Sequence, residues 1–236
     1  VIATEVHPDS MSTRQYRCRT AFQPEPLAEE IPFDGLLAET RFFKVHGVFL
    51  DHLVPCLAFR FEERHRFNVL KTVLEEMELP TGAWLMALKE HLINGDPDKT
   101  PVRVWSKTPP DNGVEKWLPL GELKQAVKIS PGLRIAYVTD AIHSPENCDA
   151  ILSIADHADI LFIETTFLQD DVDTATKKYH LTARQAGTLA KEAKVKRMIP
   201  FHFSPKYKAA PHLLSEEASA AFQGDEACGA YPDLQS

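Results

Sequence analysis

Apolar and polar residues alternate with the two-residue period of β-strands over much of the first 63 positions. Val1 to Val6 is strand-like from its first residue, Tyr16 to Phe22 alternates, and Gly35 to Leu50 is a long strand-prone run interrupted by Gly47. After Pro55, the stretch Cys56 to Phe61 places Leu57, Phe59 and Phe61 on one face, as a half-buried strand requires. The pattern then changes. Val69 to Met77 and Trp84 to Leu92 read as helices on either side of a Pro80-Thr-Gly82 break, and residues 95–119 hold five prolines and read as loop. Residues from about 64 to 130 therefore look like an inserted helical and loop arm with no deep core of its own. From 131 to 208 the pattern is β-α-β-α-β. Its strands are Arg134–Thr139, Ile160–Ile163 and Arg197–Phe201; its helices repeat Ala150, Ile151, Ile154, Ala155, Ala158 and then Ala183, Ala186, Leu189, Ala190, Ala193. Thr182 and Gln185 fit a capping box that starts the second helix. Residues 1–222 are read as one partial domain and 223–236 as a flexible tail.

Chemistry collects where these strands stop. The first runs into Asp140, the second into Glu164 and the third into His202. Carboxyl ends of strands in α/β sheets are where sites form, because the strand fixes the backbone while the side chain emerges at the rim. His180 sits just before a helix N-terminus, where free N–H groups attract anions such as phosphate. His52 follows the strand-prone run that ends at Leu50. Imidazole and carboxylate suit zinc, and a carboxylate has two oxygens with which to bridge two ions. Taken singly, His52 and His202 are more often structural histidines at strand ends, Asp140 more often a turn or cap former and His180 more often a surface loop histidine. Trp84, Trp105 and Trp117 could stack on bases, though packing of a small insertion is the plainer role.

Composition narrows the class. At 236 residues and 44% hydrophobic content the chain can bury a sizeable core, and it has neither a membrane-spanning apolar run nor a secretory pattern, so a cytoplasmic location is expected. Cys18, Cys56, Cys148 and Cys228 are scattered and read as reduced thiols. The net charge of -8 offers no general attraction to nucleic acid.

Several ordered segments resemble the metallo-β-lactamase superfamily, and within it the ribonuclease Z family. They are Tyr137-Val-Thr-Asp140, Ile163-Glu-Thr-Thr-Phe167, Tyr179-His-Leu-Thr-Ala-Arg-Gln-Ala186 and His202-Phe-Ser-Pro-Lys-Tyr207. Leu50-Asp-His-Leu-Val-Pro-Cys-Leu-Ala-Phe-Arg-Phe-Glu-Glu63 is similar to the family's segment around its third metal-binding histidine, and Leu79 to Lys89 to its tRNA-gripping arm. The resemblance implies an α/β fold, an αββα sandwich that is here incomplete. It implies a zinc-dependent hydrolase, an endoribonuclease processing tRNA 3′ ends, with His52, Asp140 and His202 as ligands of two zinc ions (manganese or iron being acceptable to the same ligands). His180 would serve the scissile phosphate with Glu164 orienting it, Ser204 and Lys206 would contact substrate, and a homodimer is implied as the assembly.

Two departures qualify that picture. The family's His-x-His-x-Asp-His motif is nowhere in these residues. With a strand-like start at Val1, the expectation is the C-terminal portion of a longer protein whose metal site is incomplete in this chain. The alternative is a non-catalytic scaffold or binding subunit. Second, Arg60 to Arg134 holds 12 basic against 11 acidic residues, too nearly neutral for an RNA grip, which leaves a small phosphodiester or other ester as the alternative substrate.

Overall fold

The computed structural model describes residues 1–106 and 115–224. The tip of the proline-rich loop, Cys228 and the expected tail beyond Gly224 lie outside the described residues. Two antiparallel strands, β1 (Ile2–Val6) and β2 (Ser10–Tyr16), open the chain, and β2 also pairs with β3 (Pro24–Pro26) and β4 (Ile31–Pro32). The strand expected from Tyr16 to Phe22 thus ends where it was to begin. A 3-10 turn occupies Cys18–Thr20, and Ala21 and Phe22 take φ of 51° and 58°, which no strand accommodates.

The next run folds as β5 (Leu36–Glu39), β6 (Phe43–His52) and β7 (Val54–Glu63). Its break falls at Thr40–Phe42, where Thr40 Oγ1 accepts from the N–H groups of Phe42 and Phe43, both at 3.1 Å. Gly47 is no interruption. It lies inside β6, and a Cβ there would stand 2.7 Å from Leu37 Cδ1, so the glycine admits a leucine from the strand beside it.

Residues 40–43 and 63–133 form a compact unit of their own. It contains β8 (His65–Val69), α1 (Lys71–Glu76), α2 (Trp84–Asn94), β9 (Pro101–Trp105), β10 (Glu115–Pro119), α3 (Leu120–Leu123) and β11 (Val127–Pro131). β8 pairs with β11 and β9 with β10. Contrary to the expectation of a coreless arm, Trp84, Leu88, Val102, Val104, Leu120 and Leu123 are buried together. Trp84 Nε1 donates to Pro80 O at 2.8 Å, so this indole packs and is not available to a base. Prolines misled the loop reading: Pro101 and Pro119 face each other at strand ends, where a missing N–H costs no ladder bond.

The other unit, residues 1–39, 44–62 and 134 onward, carries the predicted β-α-β-α-β segment. Its elements are β12 (Arg134–Val138), α4 (Pro145–Ala155), β13 (Ile160–Glu164), α5 (Val172–Lys177), α6 (Ala183–Glu192), β14 (Met198–Phe201) and α7 (His212–Gln223), the last without counterpart among the expected elements. The sheet order is β14-β13-β12-β7-β6-β5, parallel from β12 to β14 and antiparallel where β12 meets β7. One face carries Ala58, Ala136, Val138, Leu161 and Ile163 against Ile151, Ile154, Leu189 and Ala190 of α4 and α6. Each valine, leucine or isoleucine so buried contributes about 1.5–3 kcal/mol, each alanine less. Ser144 caps α4, and the Thr182–Gln185 capping box forms in full. The alternation of β7 set its faces correctly but not their environment. Ala58 is the inward residue, whereas Phe59 and Phe61, paired with Tyr137 and Ile135, lie on the opposite face at 37% and 36% exposure, with Tyr137 at 40%.

Candidate metal centre

The three strands β12, β13 and β14 end side by side, so Asp140, Glu164 and His202 reach one rim because the sheet is parallel there. Asp140 and His202 each take the left-handed conformation just past their strands, at φ of 54° and 61°. Aspartate and histidine tolerate that region better than most residues, and the turn it makes lifts both side chains out of the sheet. His180 arrives from the loop before α6. One ligand atom from each of Asp140, Glu164, His180 and His202 lies within 4.8 Å of the others.

Glu164 organises this cluster while fully buried. Its Oε2 accepts from Asp140 N (3.0 Å), Thr166 Oγ1 (3.3 Å), His180 Nδ1 (3.0 Å) and His202 Nδ1 (3.1 Å). Its Oε1 accepts from Ala141 N at 3.2 Å and Leu181 N at 3.0 Å. Burial pushes this carboxyl up, but the hydrogen bonds from His180 and His202, the charge of His180 and the Leu181 N–H prevail and hold it down to about 2. An ionised carboxylate only accepts, so both imidazoles donate from Nδ1 and turn Nε2 outward. For His202 the Glu164 hydrogen bond raises its proton affinity against the opposing effect of burial.

His52 comes from the end of β6, outside that carboxylate's reach. Its Nδ1 lies 2.6 Å from Tyr179 O, and a carbonyl can only accept, so Nε2 carries the lone pair. That Nε2 stands 4.0 Å from Asp140 Oδ1. The gap is too long for a hydrogen bond. Two metal bonds of about 2.0–2.2 Å at a tetrahedral angle span roughly 3.3–3.6 Å, so the pair must close by about half an ångström to share one cation. A carboxylate beside imidazoles is donor chemistry that suits a divalent cation at Asp140 with His52 next to it; the His202 nitrogen nearest Asp140, Nδ1 at 3.7 Å, is the one turned to Glu164, and the lone pairs of Glu164 are already taken. Metal use is what this arrangement supports chemically.

The remaining sequence candidates sit nearby but are engaged. Ser204 Oγ accepts from Lys206 N at 3.3 Å, and Lys206 Nζ lies 2.5 Å from Asp171 Oδ1. Asp171 also accepts from Tyr207 Oη, which itself accepts from Leu168 N at 3.1 Å. Asp171 thus ties the loop after β14 to the loop after β13. The sequence reading also missed Asn147, buried on α4 beneath the His52 and Asp140 loops. Its only linear signal is its place three residues after the cap Ser144, which marks helix start and nothing more.

A model of the Beta-lactamase superfamily domain matches residues 86–203. Ribonuclease Z of Bacteroides thetaiotaomicron is 30% identical over 188 residues, covering 78% of this chain and 51% of that protein. Ribonuclease Z of Porphyromonas gingivalis is 29% identical over 210 residues, 89% of this chain and 61% of that protein. The chain thus spans between half and two thirds of the length of these curated relatives. Among solved structures, the short form of human tRNase Z aligns with a TM-score of 0.39 at 19% identity, over 73% of this chain and 41% of that one.

Proposed function

Because this chain belongs to the β-lactamase superfamily, we propose that it serves a metal-dependent phosphodiester hydrolase of the ribonuclease Z type, acting on the 3′ end of precursor tRNA. The observation that carries this reading is the convergence of Asp140, Glu164, His180 and His202 within 4.8 Å at the ends of parallel strands. Two zinc ions are the cofactor in this reading, with Asp140, His52 and His202 as ligands. Bound there, such cations supply Lewis acidity toward a phosphate oxygen and acidify water. His180 acts on the leaving group. Its Nδ1–H is held by Glu164, so Nε2 faces the site and, once it has taken up a proton from solvent, can pass that proton to the departing oxygen. Glu164 keeps that ring in one tautomer and one orientation, as a buried carboxylate does for an imidazole. Ser204 and Lys206 shape the rim, and Lys206 reaches a phosphate only by leaving Asp171. A homodimer in the cytoplasm is the setting that accompanies this proposal.

One observation favours a second reading. The near balance of 12 basic and 11 acidic residues from Arg60 to Arg134 gives little counterion release, so a small phosphodiester or another ester is the alternative substrate. Assay of the full-length protein with zinc or manganese against a tRNA precursor bearing a 3′ trailer, and against bis(p-nitrophenyl) phosphate, separates the two. Cleavage of the precursor at its 3′ side is expected, and His180→Ala should slow it ~100-fold while leaving bound metal unchanged. Turnover of the small diester alone removes the tRNA reading; turnover of neither removes the hydrolase.

A further inference from the structure

His52 and Asp140 belong to strands that do not touch. In the sheet β7 lies between β6 and β12, so no ladder hydrogen bond fixes the end of one against the end of the other. What joins them is one side chain together with one backbone hydrogen bond. Asn147 Oδ1 accepts from Asp51 N at 2.9 Å, and its Nδ2 donates to Asp51 O at 3.0 Å and to Ile142 O at 2.8 Å. The Ile142 N–H donates to the same Asp51 carbonyl at 3.1 Å, closing the link. Both amide hydrogens are used and the oxygen is engaged, in a side chain only 3% exposed. Asn147 is in turn fixed by its own N–H, which donates to Ser144 Oγ at 3.2 Å. His52 follows the clamped residue directly, and Asp140 lies two residues before Ile142.

We propose that Asn147 is a positioning residue that sets the spacing between His52 Nε2 and Asp140 Oδ1, and through it the affinity of the metal centre; the inference rests on the metal-centre reading above. The amide is suited to this role because it offers one acceptor and two donors in a rigid plane, so it reads the backbone of both loops at once. An aspartate has the same shape but no donors. It would set an oxygen against the carbonyls of Asp51 and Ile142 and drive the loops apart.

The test is zinc affinity of the purified protein, measured by competition with a chromophoric chelator, with thermal unfolding of each metal-free variant followed in parallel. Asn147→Asp should weaken zinc binding ~10–100-fold, the cost seen when groups that orient ligands are removed. In a His52→Ala background the same substitution should add no more than about a two- to threefold loss, because the spacing it controls no longer has two ends. Asn147→Ser, which is small and carries no charge, gives the same comparison should N147D not fold. Zinc affinity unchanged in folded N147D or N147S overturns the inference, as does an equal loss with and without His52, which would mark general destabilisation. Asp140→Ala separates this failure from that of the centre itself. Zinc binding that survives D140A sinks both, whereas binding lost in D140A but intact in N147D sinks the positioning role alone.

Discussion

The two units bury different things. In residues 63–133 burial is apolar: Trp84, Leu88, Val102 and Leu120 share a core, while the charged groups pair on the surface, as Arg103 does with Glu115 and Lys124 with Asp98. In the other unit an ionised carboxylate, Glu164, is buried with six donors around it. Burying a charge costs several kcal/mol unless hydrogen bonds replace its water. A fold that needed only stability would place a hydrophobe there. The contrast teaches where function sits: both units pack an apolar core, and the second also buries a charge that holds two imidazoles in fixed orientation.

Breaking the charged interior should have the largest effect. Glu164→Ala strands the His180 and His202 rings and the N–H groups of Asp140, Ala141 and Leu181, and should destabilise by about 3–5 kcal/mol in urea unfolding. The conservative Glu164→Gln isolates the charge through pH. The folded carboxyl sits at about 2 against an ordinary 4.5, so its stabilisation is present above pH 4.5 and is lost as pH falls from 4.5 to 2. A shift of that size corresponds to about 3 kcal/mol. Unfolding free energy of the metal-free protein should fall steeply over that window, and less steeply in E164Q. Equal slopes would mean that Glu164 is not the ionised hub of the cluster.

The balance between what was legible and what was not follows the same contrast. Asp140, Glu164 and His202 were visible because each terminates an apolar strand run, and the parallel sheet then aligns those ends without further information. Thr182 and Gln185 announced a helix start because capping is local in sequence. Asn147 was invisible, since the backbone it grips at Asp51 is 96 residues away and an asparagine in a first helical turn looks ordinary. Alternation in β7 told which residues share a face. It could not tell which face meets α4, because Ala58 is small and inward while Phe59 and Phe61 are large and outward. The core of residues 63–133 was hidden by prolines that mark strand ends, and its apolar residues come from α1, α2, β9, α3 and β11, elements separated in sequence.

A second break falls on the apolar side. Trp84 is 1% exposed, so Trp84→Ala should cost about 3–5 kcal/mol through lost transfer energy and the cavity left behind. The comparison predicts that this loss stays out of the metal chemistry: zinc affinity of folded W84A at low temperature should match that of the unsubstituted protein. A parallel fall in zinc affinity would show that the interior of residues 63–133 helps to hold the ligands, and the division drawn here would fail.

The smallest effect is expected at the surface charges of residues 63–133. Arg103 reaches Glu115 across the β9–β10 pair with two contacts, Nε to Oε1 at 3.0 Å and Nη2 to Oε2 at 3.2 Å, yet both side chains are about half exposed. Water and salt screen such a pair, and its geometry must be held against side-chain entropy, so Arg103→Ala should cost only about 0.2–1 kcal/mol. Raising the salt to 1 M should erase most of that difference between R103A and the unsubstituted protein in thermal unfolding. Glu164 should respond in the opposite way, since a buried carboxylate with six donors is out of reach of counterions, and salt should leave the cost of E164A nearly unchanged. A loss above about 2 kcal/mol in R103A, insensitive to salt, would place a structural ion pair in the unit that otherwise relies on packing.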